Sequence, residues 1–526
     1  MQQTLTAIAA LSITLAACAG TSNSPTPVKL AGNADVLPAY QRNSDWYRIG
    51  EEHLAARQAR DTLPRAKNVI LFVGDGMGIS TVTAARILDG QRKGMSGEEN
   101  SLSFEKFPFT GLAKTYNTDS QTADSAGTMS AMVTGVKTRI GVFGVDETAP
   151  RGDCASGKDV ELITALELAE RAGKSTGIVS TARITHATPA ATYAKAVDRD
   201  WENDSDVPPA AQDAGCTDIA RQLVDSTAAM QTRFGNPRID GIDVILGGGR
   251  ANFLPGDAGR RGDGENLVER WLAGNPGGVF VDDREGLGNA PVNAPLLGLF
   301  TDSHMSYEQD RPDSEPSLRD MTLAALDRLE GNREGYFLMV EGGRIDHAHH
   351  AGNASAALRD TIAFSEAVQA AVERTDSEDT LIIVTADHSH VFTIAGYPRR
   401  GNPILGKMVP VGETEPALAA DGMPYTTVSY ANGRGFRDLG DETNADRGYA
   451  GAPLSGRADL SEVDTTQTGY HQEALVPLSA ETHGGEDVAV YASGPGAQLV
   501  SGTLEQNVLF HIMAASAGLI PAASSR

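Results

Sequence analysis

Six short, almost unbroken apolar runs punctuate the chain, at residues 68–73, 175–179, 244–246, 336–340, 381–384 and 488–492. Near-continuous apolar runs without alternation predict strands buried on both faces. Between them, apolar residues recur at helical spacing over 160–172, 217–230, 317–329 and 355–374. Strands alternating with helices predict an α/β fold, a large and mostly parallel central sheet with helices on both faces. A charged helical pattern over 45–66, ending near Pro64, precedes the first strand. Two stretches break the alternation. Residues 250–315 are rich in Gly, Asp, Asn and Pro, with a short helix expected near 267–272, and residues 396–475 carry glycines, prolines and scattered β-branched residues. Both read as irregular insertions or a small accessory subdomain, not as layers of the core.

The N-terminus has a pattern of its own. An apolar run from about Thr6 to Ala17 ends in Leu15-Ala16-Ala17-Cys18. It is too short to span a bilayer and suits the apolar region of a signal peptide. The ending resembles the bacterial lipoprotein box, in which Cys18 becomes the lipidated first residue. Against this, no Lys or Arg precedes the run, and ordinary cleavage near the same place is the other reading. Residues 1–18 are thus expected to be a signal segment, 19–44 a flexible Ser/Pro/Gly-rich tether, and 45–526 the folded domain, including 396–475. Both readings predict export to the periplasm or outer membrane; in the lipoprotein reading the lipid is the only membrane attachment.

Composition narrows the function. Among 526 residues, 44 Lys and Arg face 69 Asp and Glu, a formal charge of −25. That sign argues against nucleic acid and anionic membranes, both polyanions. Hydrophobic residues at 40% suffice for a sizeable core, and charged residues at 21% do not suggest disorder. Three cysteines exclude a disulfide-dense scaffold and leave one to explain.

The candidate chemistry lies where apolar runs stop. Asp75 follows the first, Glu341 the fourth, and Asp387-His388 the fifth. In open parallel sheets the ligand crevice lies beyond the carboxyl ends of the strands. One acidic residue there is usually a cap or turn. Three meeting there repel one another unless a cation compensates, which points to a metal site. In Gly342-Gly343-Arg344-Ile345-Asp346-His347-Ala348-His349-His350, Asp346 and His350 share a helix face at i,i+4 spacing. His483, in Glu481-Thr482-His483-Gly484-Gly485, precedes the last strand. Asp, Glu and His without Cys suit catalytic zinc. Ser125, in Asp124-Ser125-Ala126, is expected at a helix start, where N–H groups favour phosphate; the bland reading is a helix cap. No Gly-x-Ser-x-Gly elbow occurs, so metal activation of a serine is the better hydrolytic scheme. Arg199, between Asp198 and Asp200, is either a surface ion pair or a bidentate phosphate clamp. The segment Thr185-His186-Ala187-Thr188-Pro189 offers an imidazole and hydroxyls.

Seven motifs in order, those around Asp75, Ser125, His186-Ala-Thr188, Arg199, Glu341 to His350, Asp387 to His390, and His483, together resemble the alkaline phosphatase family, in its animal-type pattern. The resemblance runs from about Asp45 to Leu519. It implies two zinc ions and one magnesium per chain. One zinc takes Asp346, His350 and His483; the second takes Asp75, Asp387 and His388; the magnesium takes Asp75, Thr188 and Glu341. It also implies Ser125 as nucleophile, Arg199 as phosphate clamp, and His347 as a residue that either contacts phosphate through water or steadies a zinc. His186 stands just outside the magnesium ligands, and His349 and His390 have mainly structural roles. The family's fourth, calcium site has candidates in Phe300 and Glu315, but Thr301 replaces an acidic ligand, so no fourth metal is expected. A Cys154–Cys216 disulfide matches a family position and leaves Cys18 for lipid. The segment 396–475 resembles the family's crown and the helix near Asp45 its arm, which implies a homodimer. The substrates implied are small phosphomonoesters. Two alternatives remain: a phosphodiesterase or sulfatase of the same superfamily, and a non-catalytic phosphate- or zinc-binding lipoprotein.

Overall fold

The structure is a computed structural model that describes residues 36–58, 65–435 and 456–520. The signal segment, Cys18 and most of the tether lie outside the described residues, as does part of the crown-like segment. Among the described residues fifteen strands occur in the order β1 (Asn68–Gly74), β2 (Phe109–Lys114), β3 (Ser175–Arg183), β4 (Val244–Gly248), β5 (Val279–Val281), β6 (Leu296–Leu299), β7 (Tyr336–Gly342), β8 (Thr380–Ala386), β9 (Ser389–His390), β10 (Phe392–Ile394), β11 (Val428–Gly433), β12 (Ala474–Pro477), β13 (His483–Gly484), β14 (Val488–Ser493) and β15 (Gly502–Glu505). Ten of them form one sheet, ordered β15-β2-β14-β8-β1-β7-β3-β4-β6-β5. β14 runs antiparallel to both its neighbours; every other pairing in the sheet is parallel.

The central strands β1, β7 and β8 are buried along their whole length. That burial requires cover on both faces, which is why their sequences carry no alternation. Phe72 on β1 meets Phe364 of the helix Ala354–Arg374 edge to face. Helices Ile219–Phe234 and Leu318–Leu329 begin at caps from Asp218 and Ser317.

Two expectations need correction. Residues 250–315 are not simply an insertion: they supply β5 and β6, which extend the central sheet to its edge. Three- and four-residue strands are too short to show a period among glycines and prolines. Residues 36–44, expected at the end of the tether, are folded. They form a short helix, Ala39–Asn43. Gln41 there is fully buried and donates to Thr134 O (2.9 Å) and Ile163 O (3.0 Å), while accepting from Ile163 N (2.8 Å).

The charged helix runs Asp45–Gln58. Asn507 ties it down by donating to Trp46 O (2.6 Å) and Gly135 O (3.1 Å). Beyond Gly135, Lys137 is buried: its Nζ donates to Lys114 O and Tyr116 O (3.0 Å each), pairs with Glu505 (3.1 Å), and lies 3.4 Å from the Tyr116 ring centre. A three-stranded sheet, β10-β11-β12, frames the accessory segment, with only β11 wholly inside it. A disulfide joins Cys154 to Cys216, with Cα atoms 5.9 Å apart. Among the described residues no helix is long and apolar enough to cross a membrane.

Candidate active site

Adjacent strands β8, β1 and β7 end together, and each end carries an acid. Asp75 follows β1, Glu341 is the penultimate residue of β7, and Asp387 follows β8. In register, Val73 lies beside Glu341 on one side and Thr385 on the other. All three carboxylates are fully buried. Asp387 is fixed by Gly76 N (2.9 Å) and His388 N (2.8 Å), both donating to Oδ1. Burial, then the neighbouring Asp387, Asp346 and Glu341 charges, push Asp75 well above the usual carboxylate range. Burial above all pushes Glu341 up to about 7.

The helix Arg344–His350 starts just after β7 and sets Asp346 and His350 one turn apart on one face. The β9–β13 pairing, His390 opposite His483, brings in the distant C-terminal motif. Asp346 Oδ1 then lies 2.8 Å from His390 Nε2, 3.3 Å from His483 Nε2 and 3.4 Å from His350 Nε2. His350 Nδ1 donates to Glu481 O and His483 Nδ1 to Ala123 O, each at 2.7 Å. A carbonyl only accepts, so both Nδ1 atoms carry hydrogen and both Nε2 atoms turn lone pairs inward, 3.0 Å apart. Only a shared proton or a cation relieves such a contact. Glu481 also accepts from His390 Nδ1 (2.6 Å). Although burial opposes it, Glu481 and Asp346 raise His390 to about 10.

Ser125 opens the helix Ser125–Thr134, capped by Asp124, whose Oδ1 accepts from Gly127 N (3.1 Å) and Asn117 Nδ2 (2.8 Å). The buried Ser125 Oγ lies 3.1 Å from His388 Nε2 and 3.4 Å from Asp75 Oδ1. Asp124 Oδ2 accepts from Arg199 Nη1 and from Gly141 N, both at 2.9 Å. Arg199 Nη2 approaches His186 Nε2 at 3.2 Å. The opposed readings of both residues thus meet: Asp124 supplies the cap, and the arginine is ion-paired while turned toward the serine's helix.

A third group gathers Asp75, Glu341 and His186, with one donor atom from each within 4.8 Å of the others. The Thr188 side chain lies against Glu341, and Ser180 donates to Glu341 Oε2. Asp75 Oδ2, Glu341 Oε1 and His186 Nδ1 are buried and make no hydrogen bond of normal geometry. Burial drives His186, His347 and His388 well below the usual imidazole range, so they are neutral, as metal ligation requires. Acids and neutral imidazoles with orphaned atoms are a donor set that fits divalent cations.

Every residue singled out for this centre therefore converges here; Cys18 lies outside the described residues. Sequence reasoning missed His304. Its ring packs at a tilt against His347 (centroids 3.9 Å) and edge-on to His186 (5.2 Å), with Arg183 Nη1 2.6 Å from its Nε2. It lies in the loop after β6, and no motif around it marks it in the sequence. Glu481 is visible in the sequence only as a neighbour of His483, though it orients both His350 and His390. His349 is held by Thr81 (2.9 Å) and Tyr430 (2.8 Å), the structural part expected of it.

The family model described as alkaline phosphatase matches residues 66–519. This chain belongs to the alkaline phosphatase family. The tissue-nonspecific alkaline phosphatase of Gallus gallus is 42% identical to it over 518 residues, 93% of this chain and 92% of that protein. The corresponding isozyme of Homo sapiens is 44% identical over 470 residues, 86% and 84% of the two chains. The solved alkaline phosphatase of Thermus thermophilus superposes with a TM-score of 0.60 at 26% identity, covering 92% of this chain and 96% of its own. A variant of the alkaline phosphatase TAB5, solved with Mg bound, shares the fold at a TM-score of 0.58 and 22% identity, covering 87% and 99%. The activity of this alkaline phosphatase is phosphomonoester hydrolysis, and its site binds metal.

Proposed function

We propose that this phosphatase works through a covalent phosphoserine on Ser125. The observation that carries the reading is the Ser125 hydroxyl, at a helix N-terminus, 3.1 Å from His388 Nε2 and 3.4 Å from Asp75. Asp346, His350 and His483 would hold one zinc ion, Asp75, Asp387 and His388 a second, and Asp75, Thr188 and Glu341 a magnesium. Bound there, the ions supply Lewis-acid stabilisation of attacking and leaving oxygens and acidify the serine hydroxyl and water. Ser125 Oγ bonds to phosphorus as the ester P–O bond breaks, and the proton the hydroxyl gives up ends, by way of solvent, on the leaving oxygen, which departs as the alcohol. Water then cleaves the Oγ–P bond, which frees inorganic phosphate and restores the hydroxyl. The helix N-terminus favours the phosphoryl group's negative charge. Arg199, pinned on one side by Asp124, offers its remaining N–H groups to two non-bridging oxygens. His347, buried and neutral beside His186, lines the same wall and contacts phosphate through water. His186 steadies Arg199 and borders the magnesium ligands.

Ser125→Ala is expected to keep its metals, by elemental analysis, while losing most turnover on a nitrophenyl phosphate. Acid-quenched wild-type enzyme is expected to carry phosphate on Ser125; none after quenching during turnover refutes the mechanism.

The same reading extends to assembly and location. Export, with Cys18 lipidated, follows from the N-terminal pattern; a Cys18→Ser variant that stays fully membrane-bound refutes the anchor. A homodimer is supported by exposed Tyr397, Val411, Leu418 and Leu475 on the accessory segment. Light scattering at the monomer mass excludes it. Residues 396–475 act as the crown and the helix starting at Asp45 as the arm of one catalytic domain.

A further inference from the structure

Arg199 sits in a closed ring of contacts, and one member of that ring touches neither substrate nor metal ligand. Arg151 Nε and Nη2 donate to Asp198 Oδ1 (3.1 and 2.8 Å), and Nη2 also reaches Asp200 Oδ2 (2.6 Å). These are the carboxylates on either side of Arg199. Asp198 Oδ1 also accepts from Asp200 N (3.1 Å), so the three-residue turn is cinched around Arg199. Behind it, Arg199 N donates to Gly141 O (2.9 Å) and Gly152 N to Val197 O (2.8 Å). Gly141, at φ 74°, packs flat on the Arg151 guanidinium; a Cβ there would lie 2.6 Å from Nη1. Its N–H reaches Asp124 Oδ2, the oxygen that also holds Arg199 Nη1. The ring thus runs Arg151, Asp198 and Asp200, Arg199, Asp124, Gly141 and back to Arg151.

The strand-like segments carrying this ring rest on a small core of their own. Val142, Val145, Ala149, Val197 and Trp201 pack there with the Cys154–Cys216 disulfide. Arg151 lies three residues before Cys154, so its backbone is anchored while its side chain stays 41% exposed.

We propose that Arg151 is a positioning residue for phosphate binding, acting through Asp198 and Asp200 to hold the Arg199 guanidinium in register with the Ser125 helix. The inference rests on the reading of Arg199 as the phosphate clamp. A planar guanidinium is needed because two carboxylates must be bridged at once, which a lysine ammonium does not reproduce.

The test measures KM and kcat on a nitrophenyl phosphate, and Ki for inorganic phosphate, on metal-loaded enzyme. The variants are Arg151→Ala, Arg151→Lys, Arg199→Ala and the Arg151→Ala/Arg199→Ala double. Two partly exposed ion pairs are lost in Arg151→Ala, so Ki and KM are expected to rise ~5-fold while kcat stays within about two-fold. Arg151→Lys is expected to bind phosphate no better than Arg151→Ala. In the Arg199→Ala background, losing Arg151 is expected to weaken phosphate no further. Unchanged Ki in Arg151→Ala, alongside a raised Ki in Arg199→Ala, overturns the positioning role alone. Full rescue by lysine reduces Arg151 to a point charge and also overturns it. Additive effects in the double variant make the two arginines independent and likewise overturn the positioning role. No effect in Arg199→Ala overturns the clamp reading itself.

Discussion

The buried ammonium of Lys137 makes the stability of this enzyme depend on alkaline pH in a calculable way. Burial pushes Lys137 down from 10.5 to about 8, and Glu505 only partly opposes the shift. The folded chain therefore gives up this proton at a lower pH than the unfolded chain does. Between pH 8 and 10.5 the unfolded state binds more protons, so stability rises with pH through that window. Below pH 8 the folded protein carries the full cost of a buried charge. At 1.36 kcal/mol per pH unit, the difference of 10.5 and 8 corresponds to about 3 kcal/mol, a large share of a total that is typically about 5–15 kcal/mol. Lys137→Met removes the titration and leaves the Lys114 and Tyr116 carbonyls without their donor, a fixed penalty of about 1–3 kcal/mol. The stability of the wild type relative to the variant is therefore expected to grow by about 3 kcal/mol from pH 7.5 to pH 10.5. Urea unfolding of the metal-loaded proteins, followed by tryptophan fluorescence at pH 7.5, 9 and 10.5, measures this directly. Parallel pH curves for the two proteins would refute the argument, because Lys137 is the group whose loss removes a titration between pH 8 and 10.5.

Three further outcomes are expected. Asp124→Ala removes a helix cap and four accepted hydrogen bonds, so it should cost about 2–3 kcal/mol of stability and weaken inhibition by inorganic phosphate; an unchanged Ki would detach Asp124 from Arg199. Gln41→Leu strands Thr134 O and both backbone groups of Ile163, a loss of about 2–4 kcal/mol readable as a lower unfolding midpoint; an unchanged midpoint means the N-terminal helix contributes nothing. Cys154→Ser with Cys216→Ser opens a loop of 62 residues and should destabilise by about 3–4 kcal/mol, and reductant should then have no further effect on the variant.

Much of this was legible in the sequence because burial on both faces writes a recognisable run. All six apolar runs are strands of the central sheet, and the acids that terminate three of them face one another because those strands are neighbours. Strands β5, β6 and β15 were hidden for the opposite reason. At three or four residues they carry no period, and their pairing comes from the edges of strands already in place. β2 alternates only weakly, between an exposed Phe109 and a buried Ala113. The Asp346 and His350 pair was readable from helical spacing alone. The orientation of His350 and His390 by Glu481 was not, since it depends on a β-bridge between segments about 90 residues apart. His304 has no motif at all; only the fold brings it to His186 and His347.

The donors of the metal centre are spread from Asp75 to His483, most of the length of the chain. The last of them arrives on the segment that pairs β13 with β9, just before β14, the one antiparallel strand of the central sheet. A chain whose C-terminal segment is not yet made therefore has fragments of the centre but not the whole. Cations that bind the finished set alone favour the finished fold by mass action. Metal capture thus doubles as a completion signal: only chains that have brought the C-terminal His483 segment into place gain the stability that bound metal supplies.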